Sequence, residues 1–332
     1  MTDAAPEPGM VRYLEAYLAP LLPVLARAEV TDIFINRPGE IWVEAIGGEI
    51  ERHAMPELTE ARLWHLARQI ANLSHQGISR EHPLLAATLP DGARVQVVAP
   101  PATRGALAMA IRKHVVPDLA LGDYARGGAF AHTRYSRGAI EPRAADAPAG
   151  GDPAQLAAFL GELVRGRRNI LISGGTSTGK TTFLNALMKE IPPDERLILI
   201  EDTAELNIVH ANSAALLAVK GELGEARVTA GDLLQAALRM RPDRIILGEM
   251  RGQEAYTFLR AVNTGHPGSL STIHADSPEG ALEQMALIIL QSGTQLHRED
   301  IIHYVTSVVD AIVQLDRRGG RRSVARIMMT KV

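Results

Sequence analysis

Between an apolar run at residues 169–172 and a helical pattern that begins near Thr181, the chain reads Gly174-Gly-Thr-Ser-Thr-Gly-Lys-Thr181. This is Gly-x-x-x-x-Gly-Lys-[Ser/Thr], whose chemistry requires a turn from a strand into a helix. Glycines let such a loop close tightly with its backbone N–H groups aimed at phosphate oxygens, and the helix N-terminus adds partial positive charge. A lysine at position 180 then reaches the β- and γ-phosphates of a nucleotide, and the Thr181 hydroxyl ligates Mg²⁺. Gly174, Gly175, Thr176, Ser177, Thr178, Gly179, Lys180, Thr181 and Thr182 are therefore the expected nucleotide-binding residues. The chain has only five lysines against thirty arginines, so a lysine at this spot is seldom an accident. The alternative is a Gly-rich turn that binds nothing.

A strand–loop–helix turn also dictates its surroundings. Residues 169–172, 196–200, 244–247 and 269–273 are short and β-branched or Leu-rich, as strands buried on both faces should be. Helical spacing at 183–191, 233–240 and 253–262 separates them. This alternation predicts a doubly wound, mainly parallel α/β sheet with right-handed crossovers. Apolar runs at 311–315 and 324–328 flank Arg-Arg-Gly-Gly-Arg-Arg and predict a closing antiparallel hairpin. Upstream, residues 139–153 hold three prolines and two glycines and read as a linker. Before it, two short strands surround a Pro-Gly turn near Pro38, and residues 58–73 place Leu63, Leu66, Ala67 and Ile70 on one helical face. Further alternation follows around Pro90-Asp-Gly92 and across 107–115. The expected domains are a smaller α+β one with a mainly antiparallel sheet at 1–138, the linker at 139–153, and the α/β one at 154–332.

Composition narrows the function. Of 332 residues, 46% are hydrophobic and 22% charged, which fits a folded globular chain. The net charge is −3, with 15 basic against 16 acidic residues in 1–143 and 20 against 22 in the remainder. With only 4% aromatic residues, a stacking-and-phosphate channel for nucleic acid is disfavoured, and direct nucleic-acid binding is not expected. The absence of cysteine excludes disulfides, thiol catalysis and cysteine-held zinc. No apolar run reaches the ~20 residues that span a bilayer, and the first ten residues lack a signal-peptide pattern. A cytoplasmic protein is expected, with any membrane contact peripheral. Tyr13, Leu14, Tyr17, Leu18, Leu21 and Leu22 have amphipathic spacing, which suits docking on the chain's own domain or on a membrane or partner.

Three further segments end strands at the edge where an open α/β sheet binds its ligand. Ile200-Glu201-Asp202-Thr-Ala-Glu205 brings three carboxylates, Leu247-Gly-Glu249-Met-Arg251 a fourth, and residues 264–274 the histidines His266 and His274. Each carboxylate has a plainer reading as a solvated residue or helix cap, weakest for Glu249 directly after its strand, and each histidine is as readily a structural hydrogen-bonding group. Phosphoryl transfer to water needs a metal ion and a group that positions the nucleophile, and these segments offer both.

In this order the four segments resemble the Walker A, Asp-box, Walker B and His-box motifs of the secretion ATPase superfamily, most of all the traffic ATPase of type IV secretion and conjugative DNA-transfer systems. The resemblance is strong over 169–280 and thinner around residues 29–40 and 110–113. It implies a RecA-like C-terminal domain beside the smaller α+β one, and an ATP hydrolase working as a homohexameric ring with ATP and Mg²⁺ at each site. Glu249 carries over as the acid that activates or orients water, Glu205 as its partner, and His274 as a sensor, with Thr181, Glu205 and Glu249 on the metal side. Arg112, in Ile-Arg-Lys, matches the arginine that the N-terminal domain brings to the terminal phosphate. Arg239 and Arg241 would reach a neighbouring subunit. The implied partners are inner-membrane components of the secretion system and a coupling protein, which puts the ring at the cytoplasmic face of the inner membrane. The lack of a four-cysteine module disfavours the type II branch. A pilus motor and a nucleotide-gated scaffold with little turnover remain the alternatives.

Overall fold

A computed structural model describes residues 8–46, 48–74, 76–113, 118–137, 152–218 and 228–331. They divide into two compact units, one within 8–113 and one within 118–331.

The first unit opens with helices α1 (Pro8–Leu18) and α2 (Leu22–Leu25). Strands β1 (Val30–Ile35), β2 (Gly39–Ala45) and β3 (Ile50–Met55) follow, then helix α3 (Glu60–Leu73), then β4 (Leu84–Thr88), β5 (Arg94–Val98) and β6 (Ala108–Arg112). The strands make one antiparallel sheet in the order β3-β2-β1-β6-β5-β4, as the alternation predicted. Period-2 burial puts Ile33, Ile35, Val95 and Val97 into one core with Leu63, Leu66, Ala67 and Ile70 of α3. Thr59 starts α3 by accepting from Arg62 N at 3.2 Å. Of the amphipathic N-terminal residues, Leu14, Leu18 and Leu21 join this core, and Arg62 Nη2 donates to Ala16 O at 2.6 Å. That stretch docks on its own unit.

The second unit begins with α4 (Leu121–Arg126), β7 (Arg134–Arg137), α5 (Pro153–Arg165), β8 (Ile170–Gly174), α6 (Lys180–Met188), β9 (Leu197–Glu201) and β10 (Ser213–Leu217). It continues with α7 (Ala230–Ala237), β11 (Arg244–Leu247), α8 (Glu254–Asn263), β12 (Leu270–Ile273), α9 (Pro278–Gln291), α10 (Arg298–Val308), β13 (Ala311–Arg318) and β14 (Arg321–Met329). Its eight-stranded sheet runs β10-β9-β11-β12-β8-β13-β14-β7. From β10 to β13 the strands are parallel, and β14 turns back against β13 as the expected hairpin. β8, β9, β11 and β12 are buried at every position, with α5 and α6 covering one face and α7 to α10 the other. The doubly wound reading holds. No helix among the described residues is long and apolar enough to cross a membrane.

The expected boundary at residue 138 does not match this packing. β7 pairs in parallel with β14 from Arg134↔Arg326 to Arg137↔Met329, and Thr133 Oγ1 donates to Val324 O at 2.6 Å. Leu121 and Phe130 are buried with Leu156, Leu160 and Phe183. Residues 118–137 thus complete the outer edge of the second sheet. Of the expected linker, residues 139–151 lie outside the described residues. Its last proline is the first residue of α5, with Asp152 accepting from Ala154 N at 3.1 Å. Proline suits that position because its missing N–H would have no helical partner there.

Candidate active site

β8 ends at Gly174, and within six residues the chain has turned into α6. Two left-handed residues make the turn, Ser177 at φ 60° and Gly179 at φ 90°. Thr178 Oγ1 braces it by donating to Gly175 O at 2.9 Å. At Gly174 a Cβ would press on the Thr178 hydroxyl and lie 3.2 Å from Leu315 O of β13, so the first glycine is also required by the neighbouring strand.

Lys180 is 8% exposed. Its Nζ donates to Gly174 O at 2.9 Å and Gly175 O at 3.2 Å, and it lies 3.2 Å from His274 Nδ1. Burial pushes its ammonium down to about 8, against the opposing pull of the Glu249 carboxylate and with a further push from Arg251. Burial and then the Lys180 charge also lower His274, so the imidazole is neutral and Nδ1 accepts from the ammonium. Nε2 lies 3.4 Å from the same ammonium and faces Glu249 Oε1 at 2.7 Å. The two are in contact without the alignment of a hydrogen bond, so this buried oxygen keeps an unused acceptor.

Glu249 stands just beyond β11, on a turn held by Gly248 N donating to Ile200 O at 2.8 Å and Thr272 Oγ1 donating to Gly248 O at 2.8 Å. Its Oε2 accepts a short bond from Arg251 Nη2, and Arg251 Nη1 also lies 3.5 Å from Asp202 Oδ2. Arg251 was not singled out from sequence; the only hint was its place two residues after an acidic strand end. On the other flank, Thr181 Oγ1 donates to Glu205 Oε2 at 2.9 Å. Glu201 explains how Glu205 gets there: its buried carboxylate accepts from Glu205 N and Leu206 N, both at 2.8 Å. Asn185 of α6 adds a donation to Glu205 O at 3.2 Å.

The second unit therefore gathers Lys180, Thr181, Glu205, Glu249 and His274 at the C-terminal ends of β8, β9, β11 and β12. His266 is not with them. It precedes β12, where its ring donates to Pro242 O at 2.9 Å, and so braces the opposite end of the sheet. Arg239 and Arg241 also lie at that opposite end, ahead of β11, exposed. Arg112 belongs to the first unit, where Nε pairs with Asp32 Oδ1 at 3.3 Å across β6 and β1.

Among the described residues no three His, Asp or Glu side chains converge as a preformed cation cage. Mg²⁺ shared with phosphates needs only one or two protein ligands, and the adjoining Thr181 hydroxyl and Glu205 carboxylate are hard oxygen donors of the right kind. The donor set fits that ion.

The parallel sheet, the glycine loop after β8 and the carboxylates closing β9 and β11 define a doubly wound α/β protein of the RecA-like class. The family model described as type II/IV secretion system protein matches residues 15–322, and the chain belongs to that family. It is 38% identical over 327 residues to the type IV secretion system protein VirB11 of Bartonella quintana (strain Toulouse), covering 93% of this chain and 91% of that protein. To VirB11 of Brucella suis biovar 1 it is 39% identical over 305 residues, 90% of this chain and 84% of the other. Among solved structures, the VirB11 ATPase of the Brucella suis type IV secretion system in complex with sulphate covers 97% of this chain, with 95% of its own length, at 36% identity and a TM-score of 0.50. The pilus retraction motor PilT with bound ADP, at 22% identity, covers 96% of this chain with 83% of its own length and a TM-score of 0.57, a likeness of fold.

Proposed function

We propose that this chain is a Mg²⁺-dependent ATP hydrolase that works as a homohexameric ring at the cytoplasmic face of the inner membrane. There it powers assembly of, or substrate transfer through, a type IV secretion or conjugation system, against inner-membrane components and a coupling protein. The observation that carries the reading is the contact chain from Lys180 through His274 to Glu249, beside the Thr181–Glu205 pair. The VirB11 relatives supply the secretion context.

In this reading Lys180 leaves the Gly174 and Gly175 carbonyls to neutralise phosphate charge, while the backbone N–H groups of the loop hold the phosphate chain. Mg²⁺, when bound by Thr181 and Glu205, supplies further neutralisation of the phosphoryl oxygens. Glu249 uses its free oxygen to orient water and take up its proton, and Arg251 keeps that carboxylate in place. His274 touches both Lys180 and Glu249, so movement of the lysine is felt at the acid. Arg112 stabilises the charge that builds up on the terminal phosphate when the first unit brings it there.

Lys180→Ala tests the assignment. Affinity for ATP, measured by calorimetry, is expected to fall at least tenfold with the fold retained by circular dichroism. Unchanged affinity and turnover would sink the hydrolase. The wild-type protein should also show a one-sided pH dependence. Burial holds Lys180 near pH 8, and phosphates beside it would raise that value, so binding takes up a proton once the pH exceeds 8. Affinity should be flat below about pH 7 and fall by up to about tenfold per pH unit above 8. An affinity that climbs with pH would contradict this.

A further inference from the structure

We propose that Asn185 and His210 are positioning residues for the metal side of the site. They fasten the loop after β9 along α6, so that one helix sets the distance between the Thr181 hydroxyl and the Glu205 carboxylate. The inference rests on the reading of those two side chains as the groups that hold Mg²⁺.

Residues 202–212 connect β9 to β10 without any helix or strand. Such a stretch would let Glu205 swing, yet its backbone is held from two sides. From the end of β9, Glu201 takes Glu205 N and Leu206 N. From α6, Asn185, which is 3% exposed, accepts from Asn207 N through Oδ1 at 2.9 Å and donates through Nδ2 to Glu205 O at 3.2 Å. One amide thus meets a C=O and the N–H two residues further on, as the peptide group of a paired strand would. Thr181 and Asn185 are four residues apart and lie one above the other on the same face of α6. That face grips Glu205 at both ends, through the hydroxyl on its carboxylate and the amide on its carbonyl.

His210 fastens the far end of the loop. It is 7% exposed, and Nε2 lies 3.2 Å from both Ile191 O and Pro192 O, just beyond α6. Carbonyl oxygens only accept, so Nε2 donates. Nδ1 is then a buried acceptor with no hydrogen-bond partner among the described residues. An apolar side chain would fill the place without that cost, so the donation is what the histidine contributes. Between the two fasteners, Ile208 and Val209 are 57% and 52% exposed and add little packing. Polar contacts to α6 therefore hold the loop. Mg²⁺ demands near-ideal octahedral geometry, so a small drift of Glu205 away from Thr181 weakens its hold on the ion.

The test is the affinity of the full-length chain for the non-hydrolysable ATP analogue AMP-PNP, measured by calorimetry with Mg²⁺ and with EDTA. The wild-type protein is expected to gain at least tenfold from Mg²⁺, and Glu205→Ala to lose most of that gain. Asn185→Ala should lose at least fivefold of it while its affinity in EDTA stays within twofold of wild type, because the phosphate loop is untouched. His210→Leu should lose the gain likewise. His210→Gln, whose amide nitrogen can replace Nε2 as donor, should keep it within twofold. A full gain in Asn185→Ala where Glu205→Ala has lost it would overturn the proposal and leave the hydrolase reading standing. So would equal losses with Mg²⁺ and with EDTA, which mark a merely structural asparagine. The His210 pair decides even if Asn185→Ala does not fold, since equal gains in its two variants also overturn the proposal. A full gain in Glu205→Ala would remove the metal assignment and this inference with it. The expected pattern in a wild-type chain that turns over no ATP would sink the hydrolase and leave the positioning roles intact.

Discussion

Glu249→Gln is expected to bind ATP at pH 7 with affinity within a few-fold of wild type while kcat falls by about 10²–10⁴, the range that a lost general base or water-orienting acid produces. Glutamine keeps the shape of the side chain and can still accept from Arg251, so the turn after β11 should hold. It cannot take a proton from water. The pH of the assay matters, because the Glu249 carboxylate holds the Lys180 ammonium up against the effect of burial. Removing that charge lowers Lys180 further, so the variant should lose ATP affinity at a lower pH than wild type does. Single-turnover hydrolysis with calorimetric affinities at pH 7 and pH 8.5 separates the two effects. A kcat within threefold of wild type would remove Glu249 from the chemistry.

The largest expected loss of stability lies at the other end of the same strand. Arg244, the first residue of β11, is 0% exposed, and its guanidinium forms two bonds to Glu195, Nε to Oε2 at 2.7 Å and Nη2 to Oε1 at 2.8 Å. Nη1 donates to Val164 O at 2.6 Å and to Gly268 O at 3.3 Å. One side chain thus ties the end of α5, the approach to β9 and the turn before β12 to the start of β11. Gly268 has φ 83°, and a Cβ there would meet Arg244 Nη1 at 2.7 Å, so the glycine makes room for the arginine. Arg244→Met leaves Glu195 buried with only Arg167 nearby, at 3.3 Å, and should cost about 3–5 kcal/mol. Pairing it with Glu195→Leu should recover much of that loss, since the unpaired charge goes too. Urea unfolding of both variants checks this; a single variant within 1 kcal/mol of wild type would show the pair to be dispensable.

What could be read from sequence follows burial. β8, β9, β11 and β12 are covered on both faces, so they appear as continuous apolar runs, and the glycine loop fixes the direction of the first. β10, Ser-Ala-Ala-Leu-Leu, and β3, Ile-Glu-Arg-His-Ala-Met, are edge strands with small or polar residues, and no periodicity betrays them. Pro153 and Pro278 look like breaks in the sequence, yet each is the first residue of a helix of 13 or 14 residues. β7 falls on the N-terminal side of the apparent linker while its partner β14 lies far along the chain, so only the folded sheet places it in the second unit. At the site, strand ends located the right carboxylates but could not rank them. Glu201 and Glu205 look alike in sequence; one is turned inward to hold backbone N–H groups, the other faces Thr181. His266 and His274 differ only in which end of a four-residue strand they occupy. Arg251 depends on Asp202 and Glu249, which come from different strands, so only the folded sheet reveals it.

Gly174 shows how two selective pressures can act on one atom. The first glycine of such a loop is usually credited to the ligand, yet here the space that a methyl group would take is already filled by Thr178 and the backbone of β13. A variant library spanning the loop, sorted for folded protein alone, would keep glycine at this position, whereas Thr176, exposed on the same turn, would drift until turnover was also demanded. Invariance along the loop is therefore a mixed signal, part architecture and part chemistry, and only a comparison of the two kinds of selection pulls them apart.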